Sequence, residues 1–594
     1  MSEYSKKERA EELVPVIEEA RELAEATGLS PLPCKFWVVD HEEMTELMSY
    51  GGFQERYPHW RWGMQYERNS INDRYGLGKA YELVINDYPA HAYLQEQNSD
   101  VVQKMVISHV MGHLDFFNKN PWFKDQPDAA AMLARHRQRI KEFMDDPDIG
   151  REAVEEWIDH VLCIEFNIDQ YFRISRGTGE EEEKESDLVD RIDTLGLSED
   201  VREQIFDEEW LTEQEDAFAQ KTETTDLRKD VLGYLVENGR QFNQDAERSE
   251  EYEDWQSEVL EMIRKESYYF APQMLTKVMN EGWAIFWQSV ALTDEAFADV
   301  DEFVEYADFN SGILEDHGKL NPYALGYELW QYVENSANRD AVTEKLLRVT
   351  GVTPETFFDV VDFEKVQTLI THPNHSEMAV RNFSLARPEN KSFVKSTTRE
   401  SLRDQYRYIM DTDQYSSFEE ALSDLDYETG WRHMRDVRAS HNDVTFLDEY
   451  LTEEFILAEN YFTFDFSQAR GRMEVSSRKA RDVKRKLMMM FTNFGKPPVV
   501  VADGNYDNKG ELLLAHKYSG ITLNLPKASA TLKRMFNLWG RPVHLYTLTK
   551  GDDDVEKPLH IMYDGNQLST PETSMDEVQQ YVSTDMSFKT ETQP

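Results

Sequence analysis

The chain has 594 residues, of which 40% are hydrophobic and 12% aromatic, so it can bury a sizeable core and is not globally disordered. Its 114 Asp and Glu outnumber its 64 Lys and Arg. The resulting net charge of −50 disfavours nucleic acid and anionic membranes as partners and is typical of the salt-rich cytoplasm of a halophile. Two cysteines are too few for a disulfide framework and no apolar run approaches the length of a membrane span, so we expect a cytoplasmic protein.

The first part of the chain predicts mainly helices. Apolar residues recur at helical spacing over 6–27 and over 100–118, where Asp100 is the expected N-cap. Between these helices, 33–40 is a short strand candidate and 75–86 is helix-like. Further helices are expected at 129–175, 188–268, 270–292, 321–360 and about 400–440, with a charged linker at 177–187 and a loop at 372–398.

The pattern changes after about residue 447. Two helices, 475–493 and 526–538, are expected there, and the chain after 551 is polar and expected to be loose. Between DG, NKG and SG turns lie short β-rich runs, namely FILAENYFTFDF, KPPVVVADGNY, GELLLAHKY, GITLNL and RPVHLYTL. We therefore predict an α+β protein with a mainly helical domain at 1–445 (acidic insertion at about 177–268), a small α/β domain at 446–550 and a polar tail at 551–594.

Two histidines lie four residues apart in the segment DVVQKMVISHVMGHLDFF. Because positions i and i+4 stack in a helix, His109 and His113 share one apolar face and can point at a single ion. Two histidines with separate hydrogen-bond partners would show the same spacing. The segment lacks the glutamate that HExxH metalloproteases use as general base, because Val110 holds that position.

A glutamate in a nearly uncharged apolar helix, MLTKVMNEGWAIFWQSVAL, is the next candidate. An unpaired Glu281 would be costly there. The nearest charged residues in sequence are Lys277 and Asp294, and we expect the partner of Glu281 to lie elsewhere in the fold, in a salt bridge or at a metal ion. With His109 and His113 it would form a His₂Glu set, the composition of a catalytic zinc site with one position left for water.

Further acids and bases are available to such a site. Glu165 lies in an apolar context, and His160 follows Glu156 by four residues. The Glu-x-x-His pairs of a di-iron site are absent, so a single divalent ion is the better match, with zinc preferred. Glu165 or Glu82 would then help a metal-bound water to attack an amide or ester, and His160 is an alternative to them.

One basic segment interrupts the acidic chain. The run 470–486, RGRMEVSSRKARDVKRK, carries eight Lys and Arg in seventeen residues. It fits either an anion-binding face or a helix face that pairs with the protein's own acids, and the net charge favours the second interpretation. Binding of nucleic acid through this segment is the least favoured function.

Long motifs follow one another in both parts of the chain. They are YPHWRWG, YGLGKAYELVINDYPAHAYL, ISHVMGHLDFFNKN, PQMLTKVMNEGWAIFW, LNPYALGYE, FTNFGKPPVVVADGNYDNKGELLLAHKYSGITLNL and LWGRPVHL. In this order they resemble the SpoVR (stage V sporulation protein R) family. The chain departs from that family at 177–268 and 360–440, and it has Gln288 where the family often carries histidine.

The resemblance implies partners more than a reaction. Members of the SpoVR family are linked to spore cortex formation, yet the family also occurs in organisms that do not sporulate. It is often found beside a PrkA-type serine kinase and a von Willebrand-like partner protein. Two hypotheses follow: a zincin-like metal-dependent hydrolase, or a non-enzymatic partner or regulator in a stress-related PrkA-type kinase complex.

Overall fold

The structure is a computed structural model. It describes residues 3–74, 82–124, 128–171, 229–243, 246–294, 297–299, 301–314, 320–370, 398–409, 412–467, 472–550 and 555–583. Three predicted segments lie wholly or partly outside these ranges. They are the linker at 177–187, most of the loop at 372–398 and the first half of the helical segment at 188–268.

Most of the described residues are helical. The helices are α1 (Glu3–Ala26), α2 (His41–Ser49), α3 (Trp60–Arg74), α4 (Asp100–Lys119), α5 (Ala129–Asp145), α6 (Arg151–Leu162), α7 (Val231–Asn238), α8 (Asp254–Leu275), α9 (Lys277–Ser289), α10 (Phe303–Leu314), α11 (Pro322–Leu347), α12 (Phe357–Val360), α13 (Phe363–Ile370), α14 (Arg399–Gln405), α15 (Phe418–Ser423), α16 (Thr429–Arg438), α17 (Asp443–Tyr450), α18 (Glu453–Ala458), α19 (Ala480–Phe491), α20 (Leu525–Trp539) and α21 (Met575–Val582). The strands are β1 (Cys34–Val39), β2 (Glu82–Ile85), β3 (Ala90–Gln95), β4 (Gln241–Asn243), β5 (Arg248–Glu250), β6 (Thr463–Ser467), β7 (Arg472–Ser477), β8 (Val499–Tyr506), β9 (Glu511–His516), β10 (Val543–Lys550), β11 (Glu556–Tyr563) and β12 (Leu568–Ser569).

The strands form two larger sheets and two short pairs. In the first sheet, β3 lies in the middle, parallel to β1 and antiparallel to β2. The second sheet has the order β12-β11-β10-β9-β8, in which only β9 and β10 run parallel. Strands β4 and β5, and likewise β6 and β7, form antiparallel pairs. Together with the helices, these sheets confirm the predicted α+β class.

The chain forms two compact units. The first contains residues 1–54, 62–124 and 273–492, and the second contains 55–61, 125–272 and 493–594. In the first unit, α9 packs between α4 and α11 in a large apolar core. In the second unit, α20 and α21 pack against β10 and β11. The domain boundaries drawn from the sequence at 445 and 550 remain predictions.

Two predicted elements in the first unit differ from the structure. The sequence of 75–86 predicts a helix, but Glu82–Ile85 forms strand β2, because the backbone of these residues is paired with β3. The N-cap of α4 is Ser99 and not Asp100, since the Ser99 hydroxyl accepts the backbone N–H of Val102 at 3.4 Å.

The C-terminal half also differs from its prediction. The first residues of FILAENYFTFDF form α18, and GITLNL forms no strand. The chain after 551, predicted to be a polar tail, contributes β11, β12 and α21 within 555–583. Strand β11 is ordered because it pairs with β10 along its whole length, and α21 buries Val578 and Val582 against the sheet.

One difference lies before the C-terminal half. The segment 188–268 is predicted to be helical, but the β4–β5 pair interrupts it.

None of the described helices combines the length and the apolar character needed to cross a bilayer.

Candidate functional site

Helix α4 carries two buried histidines one turn apart. The rings of His109 and His113 have centroids 4.6 Å apart, and their side chains are 5% and 6% exposed. Nearly every residue from Val101 to Phe117 is buried, so α4 is enclosed by the core and does not merely rest on it. Each imidazole nitrogen therefore needs a partner other than bulk water.

Helix α9, which carries Glu281, starts at a position fixed by α17. The carboxylate of Asp443 accepts the backbone N–H groups of Val278 and Met279, at 2.9 Å each. These groups belong to the first turn of α9, where N–H donors have no partner within the helix. The single helix predicted at 270–292 is therefore two helices. Burial raises the pKa of the Asp443 carboxyl to about 7, although the two bonds from α9 act to lower it.

Small residues let the three central helices approach closely. A Cβ atom on Gly112 of α4 would lie 2.7 Å from Cα of Ala284 on α9. A Cβ atom on Gly282 of α9 would lie 2.3 Å from the carbonyl carbon of Gly326 on α11. Real Cβ contacts are longer than either distance, so these glycines set the spacing that brings Glu281 to the two histidines.

The histidines and Glu281 converge on one point. Oε2 of Glu281 lies 3.5 Å from Nε2 of His109 and 3.4 Å from Nε2 of His113. Oε1 of Glu82 lies 3.7 Å from Nε2 of His109, and ligand atoms of Glu82, His109 and His113 all fall within 4.8 Å of one another. Among the described residues, Nε2 of His109 and Oε2 of Glu281 are buried without a hydrogen-bond partner.

The other ring nitrogens are engaged. Nδ1 of His113 donates to Oδ1 of Asn280, and Nδ1 of His109 donates to Oε1 of Gln288, both at 3.0 Å. The amide of Gln288 is itself oriented, because its nitrogen donates to Asn310 at 3.2 Å. A neutral histidine with its proton on Nδ1 keeps a lone pair on Nε2, so in that form both histidines direct a lone pair at the shared point.

A lysine completes the group. Nζ of Lys277 donates to Oε1 of Glu281 at 2.6 Å and lies 5.5 Å from the ring centroid of Tyr323. Burial acts to raise the pKa of Glu281, but Lys277 and the histidines outweigh it and hold that pKa well below its usual value. Burial acts to lower the pKa of His109, and the charges of Glu82 and Glu281 outweigh it and raise that pKa. The two carboxylates thus favour positive charge at this point.

The four residues of the NEGW motif have separate roles in this arrangement. Asn280 orients His113, Glu281 faces both histidines, and Gly282 allows the contact with α11. Nε1 of Trp283 donates to the buried carboxylate of Asp115 on α4 at 3.0 Å, which fixes α9 against α4. The motif therefore encodes both the side chains of the site and the packing that aligns them.

Part of this group is predicted from the sequence. His109, His113, Glu281 and Glu82 are among the predicted residues, whereas the amide partners Asn280 and Gln288 and the aromatic Tyr323 are not. The sequence predicts a partner for Glu281 elsewhere in the fold, but Lys277, one turn earlier on the same helix, is an ion-pair partner. The i,i+4 spacing of Lys277 and Glu281 indicates this ion pair, because such positions are neighbours on a helix.

Glu165, the other predicted general base, belongs to the second unit. Its carboxylate is held by the guanidinium of Arg61 at 3.0 and 3.3 Å. His160 is also in the second unit, where its Nε2 accepts the side-chain amide of Asn537 at 3.0 Å and burial lowers its pKa to about 4. Of the two predicted bases, Glu82 is the one that contacts the histidines.

The basic segment 470–486 is described from residue 472 onward. Arg472 pairs with Glu474 at 3.0 Å, and Lys484 pairs with Asp448 at 3.0 Å. At these two positions the segment neutralises the chain's own acids, in line with the interpretation favoured from the sequence.

Comparisons with known proteins agree with the motifs. A family model described as SpoVR like protein matches residues 7–419, and a model described as SpoVR-like C-terminal domain matches residues 497–550. A curated relative, "Uncharacterized protein YcgB" of Escherichia coli (strain K12), is 26% identical over 450 residues, which cover 72% of this chain and 79% of that protein. No solved structure matches.

Proposed function

The chain belongs to the SpoVR-like protein family, and we propose that it is a metal-dependent hydrolase whose ion is held by His109, His113 and Glu281. The observation that carries this proposal is that two buried atoms without a hydrogen-bond partner among the described residues, Nε2 of His109 and Oε2 of Glu281, face each other at 3.5 Å. Leaving such atoms unpaired inside a protein is costly, and a bound cation would remove that cost.

The distances fit a tetrahedral ion. Ligand atoms about 2.0–2.1 Å from zinc stand roughly 3.3–3.4 Å apart when the angles are tetrahedral. The Nε2 atoms of His109 and His113 lie 3.5 and 3.4 Å from Oε2 of Glu281, too far for good hydrogen bonds and close to this separation. The amides that hold both Nδ1 atoms are the kind of partner that orients histidine ligands of zinc.

Zinc is the ion that this donor set favours. Two imidazoles and one carboxylate are a common set in catalytic zinc sites, which keep a further position for water. When bound there, zinc supplies a water of lowered pKa and polarises the carbonyl of an amide or ester.

Glu82 is placed to handle the proton. Its carboxylate lies 3.7 Å from Nε2 of His109, and its side chain is 20% exposed, more than that of His109 or Glu281. As general base it would accept a proton from the attacking water and return it to the leaving amine or alcohol, so that the C–N or C–O bond breaks as the C–OH bond forms. Lys277 would hold Oε1 of Glu281 while Oε2 faces the histidines.

Metal analysis tests the proposal. We expect purified full-length protein to hold about one equivalent of zinc, and the His109→Ala/His113→Ala variant to hold almost none. The matched control is His544→Ala/His560→Ala, which removes two buried histidines of the second unit that bond to each other at 2.9 Å. Wild-type protein without stoichiometric metal, or equal loss of metal in both double variants, would contradict the proposal.

A second candidate function is that of a non-enzymatic partner or regulator, as in a PrkA-type kinase complex. The ion pair between Lys277 and Glu281 favours it, because that pair neutralises the buried carboxylate without any metal. In that case Glu281→Gln would impair binding of the partner in pull-downs from cells at native salt. Loss of the cellular function with intact partner binding would exclude a purely scaffolding role.

A further inference from the structure

Lys277 marks the side on which the site reaches solvent. Its side chain is 48% exposed, whereas those of His109, His113 and Glu281 are exposed by 10% or less. The ammonium group has three N–H donors, and one of them is taken by Oε1 of Glu281. The ring of Tyr323 borders the same ammonium, with its centroid 5.5 Å away. Two of the three donors therefore remain for a ligand, on a side chain that is about half exposed.

The ammonium is also close to the point that the histidines face. The two oxygens of Glu281 are the two ends of one carboxylate, with Lys277 on one oxygen and the histidines on the other. A substrate group that reacts at an ion bound to Oε2 of Glu281 would therefore lie roughly 5–7 Å from Nζ of Lys277. That is the span of a small molecule with a functional group two or three bonds from its charge.

The charge of the site selects a monoanion. A divalent ion is balanced by Glu82 and Glu281, and the histidines are neutral when their Nε2 atoms act as ligands. Among these groups Lys277 then leaves one positive charge, while the nearby carboxyl of Asp443 is taken up by the two backbone N–H groups of α9.

We propose that Lys277 binds a carboxylate of the substrate, so that the proposed hydrolase acts on amides or esters that carry a carboxylate close to the scissile bond. This inference rests on the proposed metal centre. A carboxylate fits better than a phosphate monoester, because it brings the single negative charge that balances the site. The competing role for Lys277 is to hold Glu281 in place and nothing more.

Two probes of the same size, one a carboxylate and the other its neutral amide, separate these roles. Cobalt-loaded full-length protein is titrated with 3-mercaptopropionate and with 3-mercaptopropionamide, whose thiol changes the visible cobalt spectrum on binding. We expect wild-type protein to bind the acid about tenfold more tightly than the amide. Lys277→Met should remove this preference, and Lys277→Arg should retain most of it.

A second lysine provides the control. Lys345 pairs with Asp424 at 2.5 Å and lies 5.4 Å from the ring centroid of Tyr415, so it too has a carboxylate and a tyrosine beside it but lies outside the site. Lys345→Met should leave the preference for the acid unchanged.

Three results would overturn the inference. Wild-type protein that binds cobalt stoichiometrically but binds acid and amide equally refutes it and leaves the metal centre standing. Lys277→Met that weakens cobalt binding while keeping the preference for the acid restricts Lys277 to positioning Glu281. Protein that binds no cobalt overturns the proposed function and this inference together.

Discussion

Each unit of the protein contains a buried cluster of two histidines and a glutamate. The two clusters differ in the hydrogen-bond partners of their histidine ring nitrogens. In the second unit, Nε2 of His544 bonds to Glu511 and Nδ1 of His544 bonds to Nε2 of His560, both at 2.9 Å. His544 therefore has no lone pair to offer. In the first unit, both Nε2 atoms face a carboxylate oxygen beyond good hydrogen-bond distance.

The comparison shows that residue composition alone does not identify a ligand site. Both clusters are buried and both contain His₂Glu. The cluster of the second unit is closed by hydrogen bonds between residues on β9, β10 and β11. The cluster of the first unit depends on three helices brought together by glycines, and its inner atoms point at a shared position. If the proposed metal centre is correct, the partners of the second ring nitrogen distinguish the cluster that binds a metal from the one that does not.

The largest expected effect comes from the glycine contact. Gly282→Ala would push α9 away from Gly326, and we expect a loss of about 3 kcal/mol in the free energy of unfolding together with loss of metal. Gly312→Ala in α10 is the control, because a Cβ there meets nothing within 4 Å, and it should be neutral or slightly stabilising. Urea unfolding and metal content measure both. Equal effects of the two variants would show that close packing does not build the site.

A smaller effect is expected from the amides that orient the histidines. Asn280→Leu and Gln288→Leu should each weaken zinc binding about tenfold, because the Nδ1 protons lose their acceptors. The control is Thr547→Val, which removes the hydroxyl 2.9 Å from Nδ1 of His516 in the second unit. Competition with a chromogenic chelator gives the affinities. Unchanged zinc affinity in both amide variants would remove the distinction between the two clusters.

The smallest effect concerns the pH dependence of the second cluster. Burial, aided by His544, lowers the pKa of His560 to about 4, against 6.5 for an ordinary histidine. The unfolded chain therefore binds a proton more readily, and the stability from neutral His560 is lost as pH falls from about 6.5 towards 4. Because solvent screens part of this shift, we expect a loss of about 1 kcal/mol.

The test is unfolding of wild-type protein and His560→Phe across this pH range. The variant should lose this component of the pH dependence. Identical profiles for the two proteins would mean that His560 is not buried in its neutral form.

Parts of the site were predictable from local spacing. The i,i+4 pair in α4 and a glutamate in an apolar helix are visible in one dimension, so His109, His113 and Glu281 could be named from the sequence. Their convergence could not, because Glu281 stands 168 positions from His113 and meets it only when α9 packs on α4. The start of α9 was missed for the same reason, since its cap comes from Asp443 on a distant helix.

The sequence by itself determined the α+β class, the family and the candidate residues, because periodicity, turn residues and long motifs are local properties of the chain. Tertiary structure alone decided which residues meet. It separated Glu82, beside His109, from Glu165, paired with Arg61, and it joined the polar segment 555–583 to the sheet. Tertiary structure also leaves the Nε2 atoms of the first unit's His₂Glu cluster facing a shared point, and it closes the second unit's cluster with hydrogen bonds. The physical reason is that a ring nitrogen's partner is set by packing between distant elements, which spacing along the chain does not specify.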